Sequence, residues 1–242
     1  MTTAFLLLAA PCIGSFLGVL VRRLPDGRGW IGGGSRCEAC GTRLGVRDLV
    51  PIVSYLALHG RCRHCGAPIG PFHPAIELAA LAVAASALAA GDPDPWIACA
   101  LGWTLLALAW IDAERMLLPD ALTLPLIVAG LAEAWWTAPD TLLDRSAGAA
   151  LGWGLFALVA VTYRKLRGRE GLGGGDAKLL AAGGAWLGWQ ALPPVMLIAA
   201  LLAMTALLIG RAASKADLGD RIPFGPWLAL AIWLVWLAGG DL

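Results

Sequence analysis

Residues 171–180 read GLGGGDAKLL, and a short apolar run follows near 177–189. Whether that run crosses a membrane decides the fold. Seven longer apolar runs surround it, near 4–21, 74–90, 95–114, 121–137, 146–163, 192–210 and 223–240. Each is close to the ~20 residues with which a helix spans about 30 Å of hydrocarbon. The 242 residues are 59% hydrophobic and 14% charged, with a mean hydropathy of +0.73, which is too apolar for a soluble domain of that length. The composition predicts an all-α polytopic membrane protein in contact with the lipid bilayer. A net charge of +1 supplies no global basic field, so no nucleic-acid partner is expected.

The distribution of charge then settles how the short run is counted. Of the 18 Lys and Arg, eight (Arg22, Arg23, Arg28, Arg36, Arg43, Arg47, Arg61 and Arg63) lie in the polar stretch 22–73, and most others fall in YRKLRGRE (163–170) and RAASKADLGDR (211–221). The positive-inside rule assigns these segments to the cytoplasm. The mostly acidic GDPDP (91–95) and APDTLLDR (138–145) then lie outside. The alternation closes only if 177–189 is a span, which predicts about eight transmembrane helices with both termini outside. The opening run reads as a retained first span rather than a signal peptide: no basic residue precedes it, Arg22-Arg23 follows it, and no small-residue cleavage site stands out. The expected division is a first helix over 1–21, a small cytoplasmic domain over 22–73 and a membrane domain over 74–242. Most prolines fall at span edges, whereas Pro125 lies within a span and is expected to bend it.

Residues 22–73 are too few to bury an adequate core unaided. Cys37-Glu38-Ala39-Cys40 and Cys62-Arg63-His64-Cys65, each followed by glycine, have the spacing with which two turns offer four thiolates to a tetrahedral Zn²⁺. Cytoplasmic thiols stay reduced, which favours metal over disulfides. A redox-active pair and unmetallated thiols are the alternatives. His64 and His73 are spare ligands, since Cys37, Cys40, Cys62 and Cys65 saturate the site. A closed four-sulfur site leaves no position for water, so the zinc is expected to serve folding. Cys12 and Cys99, inside spans, read as small apolar fillers.

Acids within spans are costly and mark candidate functional sites. WIDAERMLLPD (110–120) presents Asp112, Glu114, Arg115 and Asp120 at the cytoplasmic edge of the third span, and Asp176 opens the sixth at the same edge. Two carboxyls brought together cannot both ionise, so one holds a proton while the other draws a proton from water; such a pair hydrolyses an amide without a nucleophilic side chain. Gly173, Gly174 and Gly175 allow close backbone approach and offer N–H groups to an extended substrate. Three alternatives stand beside this: a solvated or helix-capping acid, a simple glycine turn, and an ion or substrate site in a transporter.

The arrangement resembles the type IV prepilin peptidases, bacterial inner-membrane aspartic proteases of the GxGD type that are also called leader peptidase/N-methyltransferases. The resemblance covers almost the whole chain. It is carried by GSFLGVLVRRLP (14–25), the two cysteine pairs with RDLVPIVSYLALHGRCRHCGAPI (47–69), IDAERMLLPDALTLPL (111–126), GLGGGDAKLLAAGGAWLGWQ (171–190) and IPFGPWLALA (222–231), in that order. It implies that Asp112 and Asp176 are the catalytic aspartates and that 74–242 is the peptidase domain. Asp120 and Glu77 also match recurrent positions; the first reads as a supporting residue, and the second has no assigned role.

The implied substrates are precursors of type IV pilins or of secretion-system pseudopilins, whose short basic leader precedes a glycine and then an apolar helix. Acids such as Glu170 would attract that leader. The family commonly also methylates the new N-terminus with S-adenosylmethionine, so this cofactor is implied with the zinc. Two features bear against the second activity: Gly18 stands where the first-span motif often has Asn, and the chain has no glycine-rich βα signature for a methyl donor. A peptidase without methyltransferase activity, or an ion-coupled transporter that uses the same acids, are the alternatives.

Overall fold

The structure is a computed structural model, and it describes residues 2–27, 29, 34–167, 173–212 and 223–239. Glu170 lies outside them. Nine α-helices form among the described residues: α1 (Thr2–Arg23), α2 (Val53–Ala57), α3 (Phe72–Ala89), α4 (Pro95–Arg115), α5 (Asp120–Thr137), α6 (Leu142–Arg167), α7 (Gly174–Leu187), α8 (Leu192–Ala212) and α9 (Gly225–Leu237). Apart from the short α2, these eight helices coincide with the eight apolar runs. Such runs have little alternative, because hydrocarbon offers no partner to an unpaired backbone group.

Five of the helical segments, at Thr3–Arg23, Phe72–Ala89, Pro95–Arg115, Pro139–Leu166 and Leu192–Arg211, are long and apolar enough to cross a membrane on length and composition. The protein is thus an all-α membrane protein. The other three depart from that standard for local reasons. The acids Asp120 and Glu133 lie within α5. With 14 residues, α7 is only about 21 Å long. It starts after Gly173 and stops at Gly188, which has φ +86°. The last helix, α9, has 13 residues and begins Gly225-Pro226.

The chain forms two compact units, residues 1–103 and 104–242. In the first, α1 packs on α3 through buried Leu6, Ala10, Ile76, Ala80 and Ala84. Gly14 permits the approach, since a Cβ there would stand 2.7 Å from the Cα of Glu77. The Trp103 indole N–H donates to the Ala80 carbonyl at 2.9 Å. Cys99 is buried as a small filler, but Cys12 is exposed on α1. Its position on α1 turns it outward, so the reading of Cys12 as a filler does not hold.

In the second unit, α7 is the central helix and packs against α5, α6, α8 and α9. Nearly every residue from Ala177 to Trp186 is buried. Three glycines bring α6 and α7 into backbone contact. A Cβ on Gly184 would stand 2.2 Å from the carbonyl of Gly148, and one on Gly152 would stand 2.8 Å from the Leu180 carbonyl oxygen. Gly148 and Gly152 form a G-x3-G pair, a spacing that lines small residues on one helix face for close approach within a bilayer. On the α5 side, Gly130 makes room for Trp186, whose indole N–H donates to the Leu126 carbonyl at 2.9 Å.

Candidate active site and metal centre

Four helix ends converge in the second unit. The first is the last turn of α4. That helix stops because Met116 takes φ +51° and because a residue before proline, here Leu118, disfavours helical backbone. Pro119 then caps α5 in an extended conformation, so Asp120 begins a new helix rather than continuing α4. The first turn of α7 presses on the same linker: a Cβ on Gly175 would lie 2.8 Å from Cβ of Leu118. Two of the three glycines therefore differ in their reasons. Gly175 is held small by a side chain rather than by another backbone, whereas a Cβ at Gly174 meets nothing within 4 Å.

Asp112 and Asp176 are carried by two of these ends, the last turn of α4 and the first turn of α7. Asp112 is 6% exposed, and its Oδ2 accepts the Gly225 N–H at 2.9 Å from the first turn of α9. Asp176 sits at the third position of α7, and its backbone N–H donates to the carbonyl of Gly173, the residue that caps the helix, at 3.2 Å. The two carboxylates are close enough to act on each other electrostatically. Asp120 is bridged by the Lys178 ammonium at 2.5 Å, which ties the first turn of α5 to that of α7. Glu114 accepts the indole N–H of Trp110 at 3.0 Å on the exposed side of α4.

Two features escaped the reading of the sequence. Gly225 belongs to a motif noted only as the start of the last span. Glu133, an acid inside the run 121–137, pairs with Arg145 of α6 and accepts the Thr137 hydroxyl at 2.6 Å. An acid in a span with a single arginine just beyond its end was the available signal.

The four cysteines come together in the first unit, with all four sulfurs within 4.8 Å of one another. Each Cys-x2-Cys pair forms the same turn. The Cys37 N–H bonds Thr42 O and the Gly41 N–H bonds Cys37 O; the Cys62 N–H bonds Ala67 O and the Gly66 N–H bonds Cys62 O. Gly41 and Gly66 take φ +71° and +69°, which only glycine adopts freely. The bridges Arg36 to Arg43 and Arg61 to Pro68 close both turns in matching register.

A tetrahedral metal with metal–sulfur bonds of about 2.3 Å places its sulfurs about 3.8 Å apart, and Cys37 Sγ and Cys65 Sγ stand at 3.8 Å. The cluster therefore fits a metal ion. The Thr42 hydroxyl, with the Thr42 backbone, lowers the Cys40 thiol to about 6. The N–H groups of Cys65 and His64 lower Cys62. Both effects favour the thiolate that a metal needs; at Cys65 the Ala67 N–H acts the same way but is outweighed by burial and the neighbouring thiols, which push that thiol up to about 11. Arg63, at 2.7 Å, holds the Asp48 carboxyl below its ordinary value and clips this segment together.

Glu77 also acquires a place. It is 6% exposed on α3. Its Oε2 accepts the Ile52 N–H at 2.7 Å, and the Ser15 side chain of α1 bonds the same carboxylate. Ile52 caps α2 with φ +61°, a conformation costly for a β-branched residue. The buried acid thus anchors the segment between the cysteine pairs to α1 and α3.

An all-α membrane protein with paired carboxylates at its helix ends, and with a separate four-thiolate cluster, is the class that fold and site define. Comparison with known proteins narrows it. Residues 8–90 match the Bacterial Peptidase A24 N-terminal domain, and residues 99–208 match the Type IV leader peptidase family. Curated proteins similar to the chain include the prepilin leader peptidase/N-methyltransferases of Burkholderia pseudomallei strain 1026b (40% identical, covering 95% of this chain and 83% of that one), Pseudomonas aeruginosa (37%, 95% and 88%) and Aeromonas hydrophila (40%, 86% and 72%). No solved structure matches the chain. The chain belongs to the type IV leader peptidase family.

Proposed function

We propose that the protein is a membrane aspartic endopeptidase that removes the short basic leader from type IV prepilins or pseudopilins and then methylates the new N-terminus. The observation that carries the peptidase reading is the placement of Asp112 and Asp176 at the converging ends of α4 and α7, within electrostatic reach of each other and with Asp112 buried. In the proposed reaction one carboxylate takes a proton from water as the water oxygen bonds to the scissile carbonyl carbon. The other, protonated, acid gives its proton to the departing amine as the C–N bond breaks. Both acids are then ready for a further turnover once they exchange one proton.

Zinc held by Cys37, Cys40, Cys62 and Cys65 serves folding in this reading, in a small domain over 22–73 that precedes the peptidase domain 74–242. Cytoplasmic placement of that domain and of the acid pair, at the bacterial inner membrane, is supported by the concentration of Lys and Arg in 22–73, 163–170 and 211–221. Methyl transfer from S-adenosylmethionine is supported by the names of the relatives, and a peptidase without it is the alternative.

The test is incubation of the purified protein with a purified type IV prepilin, with and without S-adenosylmethionine, followed by mass measurement of the product. Loss of the leader without the methyl donor, and one added methyl group with it, is the expected result. An intact leader contradicts the peptidase, and an unmethylated product contradicts the second activity.

A further inference from the structure

The start of α9 is built so that one backbone donor remains for a partner. A helix leaves its first N–H groups without internal acceptors. Here Pro226 has no N–H, and the N–H groups of Trp227 and Leu228 both reach the Phe224 carbonyl, each at 3.1 Å. The Gly225 N–H is left over, and it points at Asp112 Oδ2 at 2.9 Å. The positive end of the α9 dipole adds to the attraction for a carboxylate at this spot. Residue 225 must also be small: a Cβ would stand 2.6 Å from Asp112 Oδ2 and 2.9 Å from its Cγ.

From this we infer that Gly225 is a positioning residue for the reaction: its N–H fixes Oδ2 of Asp112 and leaves Oδ1 to hold the attacking water. Nothing larger fits without turning the carboxylate away. The inference rests on the reading of Asp112 as one of the catalytic pair, and it gives the Pro-Phe-Gly-Pro segment a role in chemistry. A purely structural glycine would change stability or substrate affinity. A positioning glycine changes turnover.

The chain has five Phe, and only Phe224 is followed by glycine. Labelling Phe carbonyl carbons with ¹³C and Gly nitrogens with ¹⁵N therefore isolates the Gly225 amide as a single resonance in the full-length protein. The expected amide proton lies downfield, moves with pH in the wild type, and moves upfield in Asp112→Asn. A resonance indifferent to both pH and Asp112→Asn overturns the inference, whether or not any Gly225 variant folds.

The kinetic arm is Gly225→Ala. Its kcat on a type IV prepilin is expected to fall roughly 10- to 100-fold, the scale of one hydrogen bond to a charged group, with KM within about twofold of wild type. Gly154→Ala, where a Cβ meets nothing within 4 Å, keeps the wild-type rate. A folded Gly225→Ala enzyme with unchanged kcat, or with only KM altered, overturns the inference and leaves the peptidase reading intact. A wild-type protein that does not cleave refutes the peptidase reading instead, while the resonance still tests the bond.

Discussion

Gly184 of α7 meets the backbone of Gly148 of α6 so closely that a Cβ on Gly184 would stand 2.2 Å from the Gly148 carbonyl. Backbone cannot yield as a flexible side chain can, so the helices would have to part. Gly184→Ala is expected to cost at least about 3 kcal/mol, the upper range for overpacking, and to displace α7, which carries Asp176. Thermal unfolding in detergent should show a clear loss for Gly184→Ala and almost none for Gly154→Ala. Equal midpoints would contradict the packing.

Asp120 and Lys178 form an ion pair whose acid is 57% exposed. Exposed pairs contribute about 0–1 kcal/mol, and Asp120 starts α5 instead of facing Asp176 from α4. Asp120→Asn is therefore expected to lower kcat no more than about tenfold, and Lys178→Gln by a similar factor. A loss at Asp120 as deep as at Asp112 would place it among the reacting groups.

Removal of metal should act on one part of the protein. Chelation, or Cys65→Ser, is expected to release bound zinc and open residues 34–71 to proteolysis, because the small segment has little else to hold it. The helices of the second unit, residues 104–242, should keep their circular dichroism signal. Metal content by mass spectrometry and digestion patterns measure both outcomes.

Glu77→Ala leaves the Ile52 N–H without its buried acceptor, a loss of roughly 1–3 kcal/mol, and removes the anchor that holds α2 against α1 and α3. The expected outcome is faster cleavage by added protease within residues 46–58, with zinc still bound. Unchanged digestion would remove the anchoring role.

The helices were legible from the sequence because a bilayer leaves an apolar run almost no alternative to a helix, and the even alternation of basic and acidic connections marked even the short α7. The two cysteine turns were legible because their spacing and glycines act locally. Long-range packing was not legible. No spacing rule connects Gly225 to Asp112 across more than a hundred residues, and nothing local predicts that Gly175 packs on Leu118 while Gly174 faces open space. Composition marks Cys12 and Cys99 alike as small and apolar, yet helix rotation turns one outward and buries the other. Glu133 and Arg145 were readable as charges but not as partners, since their meeting depends on how α5 and α6 pack.

The most direct measurement is cleavage of a type IV prepilin by Asp112→Asn and Asp176→Asn, each purified in folded form with its zinc. Each substitution keeps the size of the side chain and removes its ability to exchange a proton. Each is expected to lower the rate by roughly a hundredfold to ten-thousandfold, with the melting temperature of the wild type or a higher one. Leader removal at the wild-type rate by either variant would contradict the carboxylate pair as the seat of the chemistry.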